Sequence, residues 1–301
     1  MELHPSAGHL AAAFTVALWG TTFIATKVLL TAFAPVEILL IRFVIGFFAL
    51  LLVCPRLLRG TTPRQEGLFA AAGLCGICLY YLLENIALTH TLASNAGVIV
   101  SVAPFFTVLL SRLIHREERL SPFFLAGFVV AMAGIFLIGF HGAQLQINPL
   151  GDGLALLAAL VWAVYSLLTR KIAAFGYPTL LTTRRIFFYG ILFMIPAALL
   201  LGFSPPWEQC LRVEFGANLL FLGLGASACC FVTWNFAVKV LGAVRTSVYI
   251  YAVPVITVVT SAWILHEPMT VYTVSGTALT LAGLFLSEYK RPNTAPNRRK
   301  A

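Results

Sequence analysis

Long apolar runs separated by short polar connections follow one another along almost the whole chain. A helix that crosses a bilayer needs about 20 predominantly apolar residues, and by that criterion the pattern predicts ten helices. Their predicted limits are 10–30, 35–54, 67–88, 94–114, 121–140, 150–171, 178–201, 215–238, 243–265 and 270–289. The pattern therefore predicts an all-α polytopic membrane protein, with no connection long enough for a separate soluble domain.

Composition agrees with this prediction. The chain is 60% hydrophobic and 10% charged, with a mean hydropathy of +0.92, whereas soluble domains carry roughly 25% charged residues. The net charge of +9 could suggest a nucleic-acid partner, but most basic residues lie in short loops and near the C-terminus. This distribution is typical of the positive-inside rule and not of a patch that follows phosphates. We expect a lipid bilayer and a small molecule as partners, and no nucleic acid.

The basic residues also predict the orientation. If the N-terminus is cytoplasmic, the predicted outer connections contain a single basic residue, Arg212. The inner side then holds fifteen basic residues: Arg56, Arg59, Arg64, Arg112, Arg116, Arg119, Arg170, Lys171, Lys239, Arg245, Lys290, Arg291, Arg298, Arg299 and Lys300. Both termini are therefore expected in the cytoplasm, with the protein in the cell inner membrane.

A proline interrupts the uncharged run at 98–110. Pro104 removes one backbone hydrogen bond and kinks the helix, and in lipid the freed carbonyl must find a neighbouring helix or a water-lined cavity. Gly97, Ser101 and Pro104 fall at i, i+4 and i+7, so they share one small, polar face of the helix. That face is predicted to line a cavity.

The same arrangement returns 150 positions later, at Ser247, Tyr251 and Pro254. Further pairs match at offsets of 143 to 150; we call such positions cognate. They are Trp19 and Trp162, Lys27 and Arg170, Pro35 and Pro178, Arg42 and Arg185, Asn85 and Asn235, Gly127 and Gly276, and Gly134 and Gly283. Each copy holds five predicted spans, and since five is odd, the copies must enter the membrane from opposite sides. Such inverted repeats are typical of alternating-access transporters with a site near the bilayer midplane. The predicted divisions are 1–145 and 146–290 for the two five-helix repeats and 291–301 for a basic cytoplasmic tail.

Three segments resemble a known family. WGTTFIATK at 19–27 and NAGVIVSVAPFFTVLLSRLIHREERL at 95–120 resemble the first half of an EamA-type member of the drug/metabolite transporter superfamily. GDGLALLAALVWAVYSLLTRK at 151–171 resembles the start of its second half. The resemblance implies ten helices, both ends inside, and export of small metabolites or drugs through a central cavity surrounded by helices 1, 3, 4, 6, 8 and 9. It does not identify the substrate.

Two ionisable residues lie well inside predicted spans, where such groups are costly and usually functional. Glu84 is in the outer part of the third helix, and Arg42 is about 10 Å from the outer end of the second. Glu84 could contact a substrate amine or take a coupling proton. Alternatively, a fixed Glu84–Arg42 pair could close the outer gate or brace the fold. Arg184, Arg185 and Lys27 are expected to reach the headgroups, although Lys27 could also bind a substrate carboxylate.

The remaining candidates are polar or aromatic residues in mid-span. Ser101 and Tyr251 each precede a kinking proline, and Pro104 and Pro254 are candidates for gating. The predicted aromatic lining, which could equally be packing, is Trp19, Phe23, Tyr81, Trp162, Tyr165, Trp234 and Tyr249. With Glu84 these residues favour a small amphipathic solute such as an amino acid or an organic cation. Asn85 and Asn235 are expected to join helices by hydrogen bonds.

Other functional classes fit less well. An integral-membrane enzyme would need clustered reactive groups at depth, but the six histidines lie in loops or at helix ends and no metal or phosphate motif is present. The CGIC sequence at 75–78 lies in an apolar run, where small packing residues explain it better than redox or metal chemistry. No cofactor is expected. A channel-like facilitator remains an alternative, as does a proton-coupled carrier acting through Glu37 or Glu84. The protein could be a monomer or a homodimer, and the glycines of helices 5 and 10 could form either the spine of the protein or a dimer contact.

Overall fold

The computed structural model describes residues 4–90, 96, 99–115, 122–139, 148–264 and 271–288. All regular secondary structure within these ranges is helical, with a single turn at Trp207–Cys210. The long elements are α1 (Pro5–Leu29), α2 (Pro35–Val53), α3 (Pro63–His90), α4 (Ala103–His115), α5 (Pro122–Gly139), α6 (Pro149–Ala173), α7 (Thr179–Leu200), α8 (Val213–Leu241), α9 (Ala243–Val248, a 3-10 turn at Tyr249–Tyr251, and Ala252–Ile264) and α10 (Val271–Glu288).

Six of these elements are long and apolar enough to cross a membrane: α1, α2, α3, α6, α7 and α8. The other four are shorter apolar helices in the part of the chain that is described, so the number of ten crossings stays a prediction. The all-helical membrane architecture is confirmed.

Proline marks the first turn of five helices, and this explains why several begin earlier than the apolar pattern predicts. Pro5, Pro35, Pro63, Pro122 and Pro149 each stand at a helix start. A proline fits there because the first-turn N–H groups have no partner within the helix. Thr62 caps α3, since its side chain accepts from the Gln65 N–H while the Gln65 side chain accepts from the Thr62 N–H. Polar first turns of this kind extend the helices beyond their apolar cores.

The fifth helix of each half packs directly on its cognate. On α5, Gly127 and Gly134 lie against α10 at Gly283 and Gly276 respectively, so the two helices run antiparallel. A half-turn about an axis perpendicular to both helices exchanges these contacts, because Gly127 is cognate to Gly276 and Gly134 to Gly283. This is the geometry expected of inverted repeats.

The other major interfaces also occur in cognate pairs. Helix α1 packs against α8, and its cognate α6 packs against α3; likewise α1 contacts α9 while α6 contacts α4. The α1–α8 pair is antiparallel, because Gly8 lies beside Leu241 and the Trp19 indole reaches the Ala226 carbonyl. The core of the molecule is therefore built twice from the same contacts, which confirms a two-repeat fold.

Two helices in each half depart from α-helical geometry at cognate places. A π-helix interrupts α3 at Leu74–Leu79 and α8 at Phe221–Cys229, and the two end 150 residues apart. The first packs on α7 and the second on the cognate α2. Residues 101–102 form a turn before α4, and a 3-10 turn occupies Tyr249–Tyr251 in α9. These turns precede Pro104 and Pro254, where a missing N–H weakens the helix.

Substituting Gly134 by leucine tests the contact between α5 and α10. A Cβ there would lie 2.6 Å from the Gly276 carbonyl oxygen, so the helices would have to separate. Overpacking of this kind costs about 1–3 kcal/mol, and we expect a clearly lower midpoint of thermal unfolding for the purified Gly134→Leu protein. Gly153→Leu in α6 is the matched control, because a Cβ at Gly153 has nothing within 4 Å. Equal stability of the two variants would contradict this packing.

Candidate functional site

A cavity opens at the end of the bundle where α1 and α3 end and α2 begins; we call it the large cavity. Six of the predicted site residues line it: Trp19, Phe23, Arg42, Tyr81, Glu84 and Trp162. Thr26, Tyr80, Asn85 and Val253 also line it. The space that its walls surround, counted with its open mouth, is about 620 Å³. Its walls are largely apolar and include five aromatic side chains, one carboxyl and one guanidinium group.

A second, smaller cavity lies at the opposite end of the α1–α8 pair; we call it the small cavity. Its walls come from the ends of α6 and α8 and the start of α7, and include Thr169, Thr182, Asn235 and Lys239. Counted in the same way, its space is about 260 Å³. Thr169 is cognate to Thr26 and Asn235 to Asn85, so the two cavities occupy equivalent positions in the two halves.

Five aromatic side chains separate the cavities; we call them the aromatic barrier. They are Trp19, Trp162, Tyr165, Phe231 and Trp234. Trp19 has its ring centroid 5.2 Å from that of Trp162 and 5.1 Å from that of Trp234. Phe231 lies 5.8 Å from Trp19 and 5.9 Å from Tyr165. Tilted and edge contacts of this kind contribute about 0.5–1.5 kcal/mol each beyond area burial, so the barrier is a firmly packed layer.

A hydrogen bond joins the barrier to the wall of the small cavity. The Tyr165 hydroxyl donates to Asn235 Oδ1 at 2.9 Å, and Asn235 Nδ2 donates to Thr183 Oγ1 at 3.0 Å. Asn235 therefore joins α6, α7 and α8, as predicted for a buried amide. Its cognate Asn85 donates to the Pro35 carbonyl at 3.4 Å and so joins α3 to the start of α2.

Arg42 is held in a fixed position on the wall of the large cavity. The side chain is buried, with 2% of its surface exposed. Its Nε donates to Ser227 Oγ at 2.9 Å, and its guanidinium carbon lies 4.5 Å from the centre of the Tyr81 ring. Nη2 is buried without an acceptor in the described structure. The Ser227 hydroxyl and the face of the Tyr81 ring thus orient the guanidinium group of Arg42, while its Nη2 donates no hydrogen bond.

Glu84 faces the same cavity from α3. The Tyr80 hydroxyl donates to Glu84 Oε1 at 3.2 Å, and the side chain is 7% exposed. Within the described ranges no ion pair joins Glu84 to Arg42, although both line the cavity. The two side chains therefore line the same cavity without forming an ion pair in this conformation.

The other predicted site residues lie away from the large cavity. Tyr165 and Trp234 belong to the barrier behind it. Tyr249 is half-buried at the other end of α1, where its hydroxyl lies 2.6 Å from His9 Nδ1. Tyr251 is fully buried in a cluster with Val108 and Phe124, because the turn before Pro254 directs it toward α4 and α5. Ser101 is buried in the turn before α4, and Pro104 and Pro254 are buried within α4 and α9.

Arg184 and Arg185 differ from the expectation that they reach the headgroups. Arg184 donates to the backbone carbonyls of Cys54 and Arg56, where the end of α2 leaves them without helical partners. Arg185 forms an ion pair with Glu66 at 2.8 Å, and the Tyr189 hydroxyl donates to the same carboxylate. These contacts tie α7 to the connection between α2 and α3, near the small cavity.

Two other charged candidates, Glu37 and Lys27, lie outside the large cavity. Glu37 accepts from the Ala34 N–H at 2.7 Å and from the Ser204 N–H at 3.1 Å, so it caps α2 and holds the connection that follows α7. Lys27 is exposed in the last turn of α1, where a cation favours the helix dipole, and it does not line the large cavity. Of the three carboxyl or amino groups considered for transport, Glu84 alone faces that cavity.

Sequence reasoning missed Tyr80 and Phe231, although both contribute to the site. Tyr80, Tyr81 and Glu84 directly follow the π-helix of α3, and Phe231 directly follows that of α8. A π-helix carries an extra residue in its turn, so it re-aims every side chain that follows. Gly76 in the first segment, and Gly223 and Gly225 in the second, are the signal that the sequence offers. Cys75 and Cys78 of the CGIC sequence lie inside the first π-helix as free cysteines.

The cognate tryptophans provide a paired test of the barrier. Trp19 Nε1 donates to the Ala226 carbonyl at 3.0 Å, whereas Trp162 Nε1 is buried without an acceptor in the described structure. Trp19→Phe loses this hydrogen bond, which contributes about 0.5–1.5 kcal/mol, while Trp162→Phe breaks no hydrogen bond. We expect a larger fall in the thermal unfolding midpoint for Trp19→Phe. A larger loss for Trp162→Phe would contradict the assigned contacts.

Comparisons with known proteins agree with this architecture. The model of the EamA-like transporter family matches residues 6–140 and 149–289. An "Uncharacterized transporter" of Archaeoglobus fulgidus is 30% identical over 297 residues, covering 94% of this chain and 98% of its own. A "Probable terminal-alkyne amino-acid exporter" of Streptantibioticus cattleyicolor is 30% identical over 276 residues, covering 90% of each chain.

A crystal structure gives the same result for the fold. It superposes with a TM-score of 0.76 at 24% identity, covering 95% of this chain and 98% of the other. With the paired helix contacts and the match to both halves, these similarities identify the protein class. The chain belongs to the EamA-like transporter family and is a multi-pass membrane transporter, not an enzyme.

Proposed function

We propose that the protein is a secondary transporter of the cell inner membrane that exports small amphipathic metabolites, amino acids or their close relatives, by alternating access. The observation that carries the proposal is the pair of cavities. They occupy cognate positions, open at opposite ends of the α1–α8 pair, and are separated by the aromatic barrier. In an inverted-repeat carrier, each half provides the pathway to one side of the membrane in turn.

The unequal sizes of the cavities support an outward-facing conformation. Both termini are cytoplasmic in this proposal, as the basic residues favour, and the large cavity then opens outward. At the inner end, Arg185 is paired with Glu66, and Arg184 holds the end of α2. The cognate Arg42 has no such partner at the outer end. Closing the outer side would bring Arg42 and Glu84 together, so we assign gating and coupling to these two residues, with Pro104 and Pro254 as the flexible points of α4 and α9.

The lining supports the proposed substrate class. An aromatic wall suits an apolar side chain, Glu84 suits an amine, and one relative of similar length is named as a probable exporter of an amino acid. Coupling to protons would use Glu84, because Glu37 is already occupied by two backbone N–H groups.

The proposal is tested by counterflow in proteoliposomes. Vesicles loaded with a panel of unlabelled apolar amino acids should accumulate the matching labelled solute, with saturation and competition. This behaviour is expected because a carrier exposes one site alternately to the two sides. Empty vesicles and vesicles with heat-unfolded protein are the controls. Flux that rises linearly with concentration, without competition, would contradict a carrier and support the channel-like alternative.

Glu84→Gln tests coupling and amine binding. Loss of a hydrogen bond to a charged group costs about 1.5–3 kcal/mol, so we expect at least about a tenfold loss of counterflow for amine-bearing solutes, with little remaining dependence on pH. Glu214→Gln is the matched control, since Glu214 is exposed in the first turn of α8. Full transport with unchanged pH dependence in Glu84→Gln would remove Glu84 from the mechanism.

The orientation is tested by fusion proteins in cells. Green fluorescent protein after Ala301 should fluoresce, since it folds in the cytoplasm, and alkaline phosphatase after Glu208 should be active, since it folds outside the inner membrane. Alkaline phosphatase after Arg59 is the control and should be inactive. Active phosphatase after Arg59 and a dark C-terminal fusion would invert the proposed orientation.

A further inference from the structure

Two residues that line the large cavity each carry a buried donor atom without an acceptor in the described structure. The atoms are Arg42 Nη2 and Trp162 Nε1, on side chains that are 2% and 3% exposed. Among the described residues with a buried, unpartnered side-chain N or O atom, these are the ones that line the large cavity; Trp234, Tyr251 and Ser287 lie elsewhere. Buried polar groups normally have partners, so a pair of unused donors beside one cavity indicates a missing acceptor.

The missing acceptor is best explained as an anion. A buried guanidinium is stable only when paired or well hydrogen-bonded, yet the described structure contains no ion pair to Arg42. Ser227 and Tyr81 hold the group in place from one edge and one face, so its orientation is set before a ligand arrives. A guanidinium presents donors in a planar fork that matches a carboxylate, often with two parallel hydrogen bonds.

We propose that Arg42 and Trp162 form a carboxylate-binding subsite in the large cavity, so that the transported solute carries a free carboxylate. This inference rests on the proposed function, because it assumes that the large cavity is the substrate pathway. Glu84 lines the same cavity and binds the amine of the same solute, and the barrier rings contact its apolar part. The subsite thus selects a zwitterion over an organic cation, the two substrate classes that the sequence leaves open.

A phosphate fits this subsite less well than a carboxylate. One guanidinium and one neutral indole N–H supply a single positive charge, and the Glu84 carboxyl lies on the same cavity wall. A second negative charge on the ligand would have no partner and would be repelled by an ionised Glu84. The local charges therefore favour an anion of charge −1 that is joined to a cationic group.

Ligand-induced thermal stabilisation of the purified protein in lipid nanodiscs tests the subsite. The probes are L-leucine, L-methionine, L-phenylalanine and L-tryptophan, each compared with its decarboxylated amine, together with 3-phenylpropionate, inorganic phosphate and chloride. A ligand that binds only the folded state raises the unfolding midpoint, and at one fixed concentration a tighter ligand raises it more. We expect at least one amino acid to stabilise the protein while its decarboxylated amine stabilises it far less.

Variants separate the subsite from a general effect on folding. Arg42→Gln should weaken binding of the active amino acid by at least about tenfold, and Arg42→Lys, which keeps the charge but loses the fork, should recover part of it. Trp162→Phe removes the indole N–H together with part of the ring system, so it should weaken binding of the acid more than binding of the amine. Glu84→Gln is the matched control for the other end of the solute, because it should weaken amino acids but not 3-phenylpropionate.

Several outcomes would overturn the subsite. They are equal stabilisation by acids and their decarboxylated amines, stabilisation by phosphate or chloride equal to that by the amino acids, unchanged affinity in Arg42→Gln, or no stabilisation by any acid. Counterflow separates the two proposals. If carboxylate binding depends on Arg42 but no counterflow occurs, the transport mechanism is refuted and the subsite is kept. If counterflow occurs and Arg42→Gln does not change it, the subsite is refuted and the transport mechanism is kept.

Discussion

The absence of water between membrane helices is the constraint on which the rest of this structure depends. A polar group buried there must find its partner within the protein. Arg184 donates to the carbonyls at the end of α2, Glu37 accepts the N–H groups around its start, and Asn235 joins three helices. Where the described structure meets this requirement, the polar side chains act as joints between helices. Where it does not, at Arg42 and Trp162, the unpartnered donors belong to residues that line a cavity.

Differences between cognate residues are as informative as their similarity. Trp19 donates to a carbonyl of the α8 π-helix, while its cognate Trp162 has no acceptor. Arg185 is paired with Glu66, while its cognate Arg42 is held by Ser227 and a ring face. The helix contacts are nearly symmetric, but cognate side chains have different partners. The two halves therefore differ more in the hydrogen bonds and ion pairs of their side chains than in the packing of their helices.

Much of the fold could be predicted because hydrophobicity and covalent geometry act over whole helices. The apolar runs identified the helical elements, and the spacing of Trp19, Arg42 and Gly127 relative to their cognates identified the repeat. The site was predicted in part: Arg42, Glu84 and Trp162 share a cavity, whereas Tyr251 turns toward α4 and α5. A shift of one residue within a helix rotates a side chain by about 100°. The π-helices and the turns before the prolines introduce such shifts, which no apolar pattern reveals.

The antiparallel contact between α5 and α10 has a consequence for how the two copies can diverge. Because the halves sit upside down relative to each other, equivalent connections emerge on opposite faces of the membrane. Loops rich in lysine and arginine stay on the cytoplasmic face of a membrane. A connection on that face must therefore gain basic residues, and its counterpart on the other face must lose them. The connection after α2 holds Arg56 and Arg59, whereas the counterpart after α7 holds only Arg212. The two halves of such a duplicated protein must therefore diverge in the charge of their loops, even while the glycine contacts between their helices stay the same.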